Sequence, residues 1–506
     1  MVQPLTVVIK LGSSSILHPE PPYLPQIATL SALAETCVSL RALGHRVVIV
    51  SSGAIGMGLH RMEMPALAGG KKRAIGEKQA LAAIGQGRLI ALWDQIFGAL
   101  KQPIAQILMT RNDIADRSRY LNATTTLSTL LGMGVIPIIN ENDTISVSEI
   151  LHVNKFGDND TLSAIAAGMC GADYLFLMTD VDGLYEDNPR RVPGARRVAV
   201  VRDIEEVRRL VSTSTLGSSL GTGGMETKLI AAELATAAGC ATVITMGSYP
   251  ARIVSIVQAH QSRTAPPSPQ APSHATLPST STSSFSSSAV AAAADPGTAP
   301  PVERDPPSVA HKAGVEFALP TSTVPPHTLF TAKPSPLSSR RFWILHGLTP
   351  RGTVYVDEGA FRAIAHGERD AGSGGNGGRL LAAGVLRVEG TFAAGQAVRV
   401  CVIRGRTGNS ERRKARAASP RQVGDSDELV EGVEKLEMGT VAADEAVQEG
   451  EEVVEFGRGL TNYNSIEIDR VKGLRSSDIE RVLSHYDAEH VVESIVELRL
   501  AGGKGL

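Results

Sequence analysis

The chain has 506 residues, with 50 Lys and Arg against 52 Asp and Glu, for a formal net charge of -2. That length exceeds one ordinary core, so two globular units with joining or interrupting material are expected. The near-balance of charge excludes a general electrostatic drive toward nucleic acid or an anionic membrane and leaves only local contacts. Cys37, Cys170, Cys240 and Cys401 are widely separated, which excludes a CxxC or Cys/His zinc spacing and a disulfide framework. Met1 leads directly into Leu5-Thr-Val-Val-Ile9 with no basic leader, and no apolar run reaches membrane-spanning length, so a soluble, cytoplasmic protein is expected.

Residues 1-260 alternate short β-branched runs with helical patterns, as βαβ units on a parallel sheet do. The runs predict strands over Thr6-Lys10, Arg46-Ser51, Ile104-Met109, Val135-Ile139, Tyr174-Met178 and Ala241-Thr245. Apolar residues near helical period predict helices over Gln26-Leu43, Lys78-Leu100, Ala123-Leu131, Thr161-Cys170 and Lys228-Ala238. A three-layer α/β domain follows. Residues 261-325 are dominated by Ser, Pro, Ala and Thr and are expected to stay disordered, with a strand returning over 326-332. From Arg340 the pattern changes to short β segments at Phe342-Leu345, Thr353-Val356, Gly384-Gly390 and Ala397-Val402, which predict a small β-barrel-like domain over 340-485. Loops at 366-380 and 405-455 interrupt it, and 486-506 reads as a C-terminal tail. The second loop carries Arg412, Arg413, Lys414 and Arg416 ahead of an acidic stretch, a pattern of solvated loops and also of RNA contacts.

Four polar clusters fall at the ends of predicted strands. In Val7-Val-Ile-Lys-Leu-Gly-Ser-Ser-Ser15 a lysine beside a Gly-Ser turn suits a transferring phosphoryl group, and equally suits a surface position after an edge strand. The glycines of Ser51-Ser-Gly-Ala-Ile-Gly-Met-Gly58 fit either close approach of backbone to a ligand or a tight βα turn. Ile138-Ile-Asn-Glu-Asn-Asp143 and Lys155-Phe-Gly-Asp-Asn-Asp160 gather acids and amides where the open end of a parallel sheet binds ligands, although Asp160 also fits a cap on the next helix. Finally, Leu177-Met-Thr-Asp180 and Gly221-Thr-Gly-Gly-Met-Glu-Thr-Lys228 combine a Gly-rich turn, a helix start and a lysine, which suits ATP phosphates.

The ordered set KLGSS, SSGAIGMG, INEND, KFGDND, TDVDGLY and GTGGMETK resembles the amino-acid kinase superfamily and, within it, the glutamate 5-kinase family. The C-terminal part, with Gly352-Thr-Val-Tyr-Val-Asp-Glu-Gly-Ala360 and Gly459-Leu-Thr-Asn-Tyr-Asn-Ser465, resembles the PUA domain often appended to that enzyme. The resemblance implies ATP-dependent phosphorylation of the γ-carboxylate of L-glutamate in proline biosynthesis, with Mg²⁺ held on the phosphates. It implies Lys10 and Lys228 on the ATP phosphates, organised by Asp158; Ser52, Asp143 and Asn159 on glutamate; and Thr179, Asp180 and Thr222, Gly223, Gly224, Met225, Glu226, Thr227 and Lys228 around the nucleotide. Asn140 and Lys155 fall in the same region. Proline as feedback inhibitor, a glutamyl-phosphate reductase, RNA at the PUA-like domain and a homo-oligomer are the implied partners. An acetylglutamate or aspartate kinase, or an RNA-binding protein with a relic kinase domain, are the alternatives. Leu151-His-Val-Asn154 is extra relative to the family pattern and falls in the loop expected over glutamate.

Overall fold

The computed structural model describes residues 3–65, 73–145, 159–189, 191–192, 194–210, 224–264, 314–318, 324–367, 378–403, 453–483 and 488–497. Its larger sheet contains β1 (Thr6–Leu11), β2 (Arg46–Ser51), β3 (Ile104–Met109), β4 (Ile136–Glu141), β5 (Tyr174–Thr179), β6 (Leu184–Tyr185), β7 (Arg197–Val201), β8 (Ala241–Met246), β9 (Val315–Phe317) and β10 (Thr328–Phe330). The order is β3-β4-β2-β1-β5-β8-β10-β7-β6, with β9 on β7. From β3 to β8 every pairing is parallel, so the carboxyl ends of six strands share one edge. β1 lies between β2 and β5, where the order of connection reverses, and ligands of open α/β sheets bind at such points.

Alternation along the strands divides two layers of core. Val8, Val48, Val50, Ile139, Leu175 and Leu177 pack with the helices Arg117–Gly132, Asn159–Cys170 and Met225–Ala237. Val7, Ile9, Val47, Ile49 and Phe176 pack on the opposite side with Ile27–Ala42, Ile75–Ala99 and Arg252–Thr264. All six strands predicted for this domain exist, two with the expected bounds and the others with ends displaced by one or two residues.

Two sequence expectations change at the insertion. The returning strand is β10, antiparallel to β8 and parallel to β7. Part of the stretch expected to be disordered is a strand: β9 pairs with β7 through Val198, Val200 and Val201, and Val315 is buried in the core. Residues 265–313 and 319–323 lie outside the described residues.

The second unit is a six-stranded sheet of β11 (Gly352–Val356), β12 (Leu380–Leu381), β13 (Val385–Glu389), β14 (Ala397–Ile403), β15 (Val453–Thr461) and β16 (His490–Glu497), in the order β12-β16-β15-β14-β11-β13. Its own core includes Val354, Phe456, Tyr463, Ile468 and Val492. β16 corrects the expected C-terminal tail, because it pairs with both β12 and β15. Phe342-Leu345, expected as a strand, is instead the end of the helix Ser339–Phe342 and the start of a π-helical turn, Trp343–Gly347. Trp343, Ile344 and Leu345 insert into the first core beside Val496 of β16, and the Trp343 indole donates to the Ile114 carbonyl at 2.9 Å. The joint between the units is thereby part of the first unit's packing.

Candidate active site

Lys10 stands at the carboxyl end of β1, opposite Val50 of β2 and Leu177 of β5. By alternation it faces the side of Val8, the layer that holds the helices Asn159–Cys170 and Met225–Ala237. Each helix brings its first turn to that point. Asp160 comes from one and Lys228 from the other, and all three side chains are almost fully buried. Lys10 Nζ lies 2.5 Å from Asp160 Oδ1, and Lys228 Nζ lies 3.2 Å from Oδ2. The Thr227 hydroxyl lies 2.8 Å from Oδ2 as well. Burial alone pushes the Asp160 carboxyl up, but Lys10 and Lys228 more than reverse this and hold it well below the ordinary carboxylate range. Two ammonium groups thus converge on one carboxylate in a low-dielectric site, at the amino ends of two helices that themselves favour anions.

Among the described residues the aspartate between the two lysines is Asp160; Asp158, expected in that role from the resemblance, lies outside them along with Lys155 and Leu151-Asn154. Helical phase gives the physical reason. The helix starts at Asn159, and its next residue turns inward onto the sheet, where a carboxylate without cations would be costly.

A second polar group lies across the edge. Asn159 Nδ2 donates to Ser52 Oγ at 2.8 Å and to Asn140 Oδ1 at 3.2 Å, and Asn140 Nδ2 donates to Gln86 Oε1 at 2.8 Å. Ser52 follows β2, Asn140 is the next-to-last residue of β4, and Asp143 is buried just beyond the strand. Asn159 Oδ1 is buried with no hydrogen-bond partner among the described residues. Sequence reasoning missed Gln86 and also Trp93, whose indole donates to Ser51 Oγ at 3.2 Å. Their seven-residue spacing on one helix face, toward the strand ends, was the available signal.

Thr179 ends β5, its hydroxyl 3.1 Å from Asp180 Oδ1. Gly224, Met225, Glu226, Thr227 and Lys228 form the start of the helix Met225–Ala237, while Thr222 and Gly223 lie outside the described residues. The SSGAIGMG glycines divide between two duties. Gly53, at φ 107°, makes the turn into the helix Ala54–Arg61, as few other residues can. Gly58 serves helix packing: a Cβ there would fall 2.1 Å from the Leu81 carbonyl oxygen, and one on Gly85 would fall 1.8 Å from that of Ala54.

Residues 5–246 match the model of the amino acid kinase family. The Schizosaccharomyces pombe protein named "Probable glutamate 5-kinase" is 41% identical over 96% of this chain and 91% of its own. The glutamate 5-kinases of Rippkaea orientalis and Nostoc punctiforme are each 37% identical over 96% of this chain and 97% of theirs. The chain belongs to the glutamate 5-kinase family. These family matches extend through both units and the residues between them, so the six-stranded sheet is part of what the relatives share. Among solved structures, a Giardia lamblia carbamate kinase bound to AMP-PNP aligns over 51% of this chain and 97% of its own, at 19% identity and a TM-score of 0.37, too low to bear on the site. No helix among the described residues is long and apolar enough to cross a membrane.

Proposed function

We propose that the protein transfers the terminal phosphoryl group of ATP to the γ-carboxylate of L-glutamate, giving an acyl phosphate. The observation that carries this reading is the buried Lys10–Asp160–Lys228 cluster, which sets two ammonium groups at the carboxyl edge of the sheet. Phosphoryl transfer to a carboxylate requires no general base, because the acceptor is already ionised near neutral pH. What it requires is alignment and neutralisation of charge on the transferring group, and two fixed ammonium groups supply both. Asp160 keeps them apart and oriented before substrate arrives.

Ser52, Asp143 and Asn159 are assigned to the amino acid, and Thr179, Asp180 and the segment Thr222-Lys228 to the nucleotide. Mg²⁺ fits as a companion of the phosphates: both Asp160 oxygens are occupied by cations and a hydroxyl, so the carboxylate nearest the transfer point is already engaged. Bound there it would supply further charge neutralisation. The six-stranded unit is read as the PUA domain, and RNA, a reductase that consumes the acyl phosphate, and proline as inhibitor remain proposed partners. A cytoplasmic homo-oligomer completes the reading.

The test is an assay of purified protein with ATP, Mg²⁺ and a panel that includes L-glutamate, L-aspartate and N-acetyl-L-glutamate, trapping acyl phosphate as the hydroxamate. Turnover should be confined to L-glutamate. Preference for aspartate or acetylglutamate would overturn the substrate assignment, and absence of any acyl phosphate would overturn the reaction class.

A further inference from the structure

The helix Ile75–Ala99 runs under the carboxyl edge of the sheet and is brought close by glycine. Gly85 packs its backbone on Ala54 and Gly58, which fixes the helix against the turn that follows β2. Gln86 is the next residue, and its Oε1 accepts from Asn140 Nδ2 at 2.8 Å. That single bond orients the amides beyond it. With Asn140 Nδ2 committed to Gln86, Asn140 Oδ1 is turned to Asn159 and accepts from Nδ2 at 3.2 Å. The other hydrogen of Asn159 Nδ2 goes to Ser52 Oγ at 2.8 Å. Both amide hydrogens of Asn159 are then used, and its Oδ1 is left as a buried acceptor without a partner among the described residues. A buried acceptor in that state is costly until a donor completes it.

We propose that Gln86 is a specificity-positioning residue. By accepting from Asn140 it holds the Asn140–Asn159 amide pair in the orientation that presents Asn159 Oδ1 to a ligand, and the group that satisfies it is the α-ammonium of an amino-acid substrate. An acid of the same length without that ammonium leaves the acceptor orphaned and is disfavoured. Sites built to hydrogen-bond a substrate group discriminate in this way against analogues that lack it. This inference rests on the reading of the site as a glutamate site. It adds a residue that touches no substrate and a reason for selection of the amino group.

The experiment compares kcat/KM for L-glutamate with kcat/KM for glutarate, measured as hydroxamate with saturating ATP and Mg²⁺. Gln86→Met keeps the length of the side chain and removes the acceptor. The glutamate-to-glutarate ratio should fall about fivefold, the size of one neutral hydrogen bond, with the KM for ATP unchanged. Gln86→Glu keeps the acceptor and should bring the ratio at least back to its original value, because its added charge acts in the same direction, repelling the dianion glutarate more than glutamate, whose α-ammonium leaves one net negative charge. If Gln86→Met folds poorly, Gln86→Leu, also neutral and without an acceptor, must lower the ratio in a folded protein. An unchanged ratio in Gln86→Met, or in Gln86→Leu, overturns the proposal. So does a Gln86→Glu ratio that stays at the Gln86→Met level. Failure of the unaltered protein to phosphorylate glutamate would instead sink the functional reading, so the two failures are distinguishable.

Discussion

Asp160 links two cations that sequence spacing places 218 residues apart, at positions 10 and 228. Removing its charge while keeping its shape, in Asp160→Asn, leaves Lys10 and Lys228 buried against each other. Loss of one partner from a buried ion cluster destabilises by about 3–5 kcal/mol. The two ammonium groups would also lose the alignment on which transfer depends, so kcat should drop by about a hundredfold or more. Thermal denaturation and steady-state kinetics on the same preparation check both effects. An Asp160→Asn protein with full kcat would refute the role given to the cluster. The motifs KLGSS, GDND and GTGGMETK put the three elements of this cluster on view in the sequence. They did not single out Asp160, because whether it turns inward depends on the residue at which the helix begins.

At the scale of the element, the helix pair Ala54–Arg61 and Ile75–Ala99 supports the side of the site proposed for the amino acid, and glycine makes that support possible. Backbone meets backbone at Gly58 and Gly85, where even a methyl group has no room. Gly85→Ala should therefore force the helices apart, at a cost of about 3 kcal/mol, and displace Gln86 and the Ser51–Gly53 turn with it. The expected result is a lowered midpoint of unfolding together with a raised KM for the amino acid, read by denaturant titration and initial rates. Retention of both values would show that the helices close up elsewhere. The sequence left the glycines of SSGAIGMG open between ligand approach and a tight turn, and only Gly53 fits the second description. The helix Ala54–Arg61 itself was not predicted: two glycines in eight residues mask its period. A related ambiguity misled the reading of Phe342-Leu345. Four consecutive apolar residues carry no period, and burial on all sides of a helical turn looks the same in sequence as a buried strand.

For the whole molecule, the turn Trp343–Gly347 joins two cores, and it carries a titratable group. Enclosure of His346, with the Arg458 guanidinium and the Lys333 ammonium nearby, pushes its imidazole down from 6.5 to about 3. The native joint thus holds a neutral ring while the unfolded chain binds a proton below about 6.5. The resulting stability is full above that value and is lost as the pH falls from there toward 3. Between pH ~7 and pH ~5 the loss amounts to at most about 2 kcal/mol. In His346→Gln that part of the acid sensitivity should disappear. Parallel slopes of unfolding free energy against pH in the two proteins would show that the ring does not report on the joint.

The inserted segment raises the last question of scale, namely how much of the chain between the helix Arg252–Thr264 and β10 the fold requires. Composition set the expected disordered stretch at 261-325, and by that reading all of it is dispensable. The structure draws a narrower line, because β9 pairs with β7 and Val315 is buried in the first core. Burying a valine side chain is worth about 1.5–3 kcal/mol, and the strand adds its ladder hydrogen bonds to that. By contrast, residues 265–313 have a composition too poor in large apolar side chains to form a core of their own, and changing loop length costs little entropy. Replacing 265–313 with a Gly/Ser linker of about twelve residues should therefore leave both the unfolding midpoint and hydroxamate formation close to those of the full chain. Extending the deletion through 325 removes β9 and should lower stability by about 2 kcal/mol or more while sparing the residues of the Lys10–Asp160–Lys228 cluster. If the two deletions unfold alike, β9 contributes nothing to the fold. If the shorter deletion already abolishes activity in a folded protein, the inserted segment has a part in catalysis that its composition conceals.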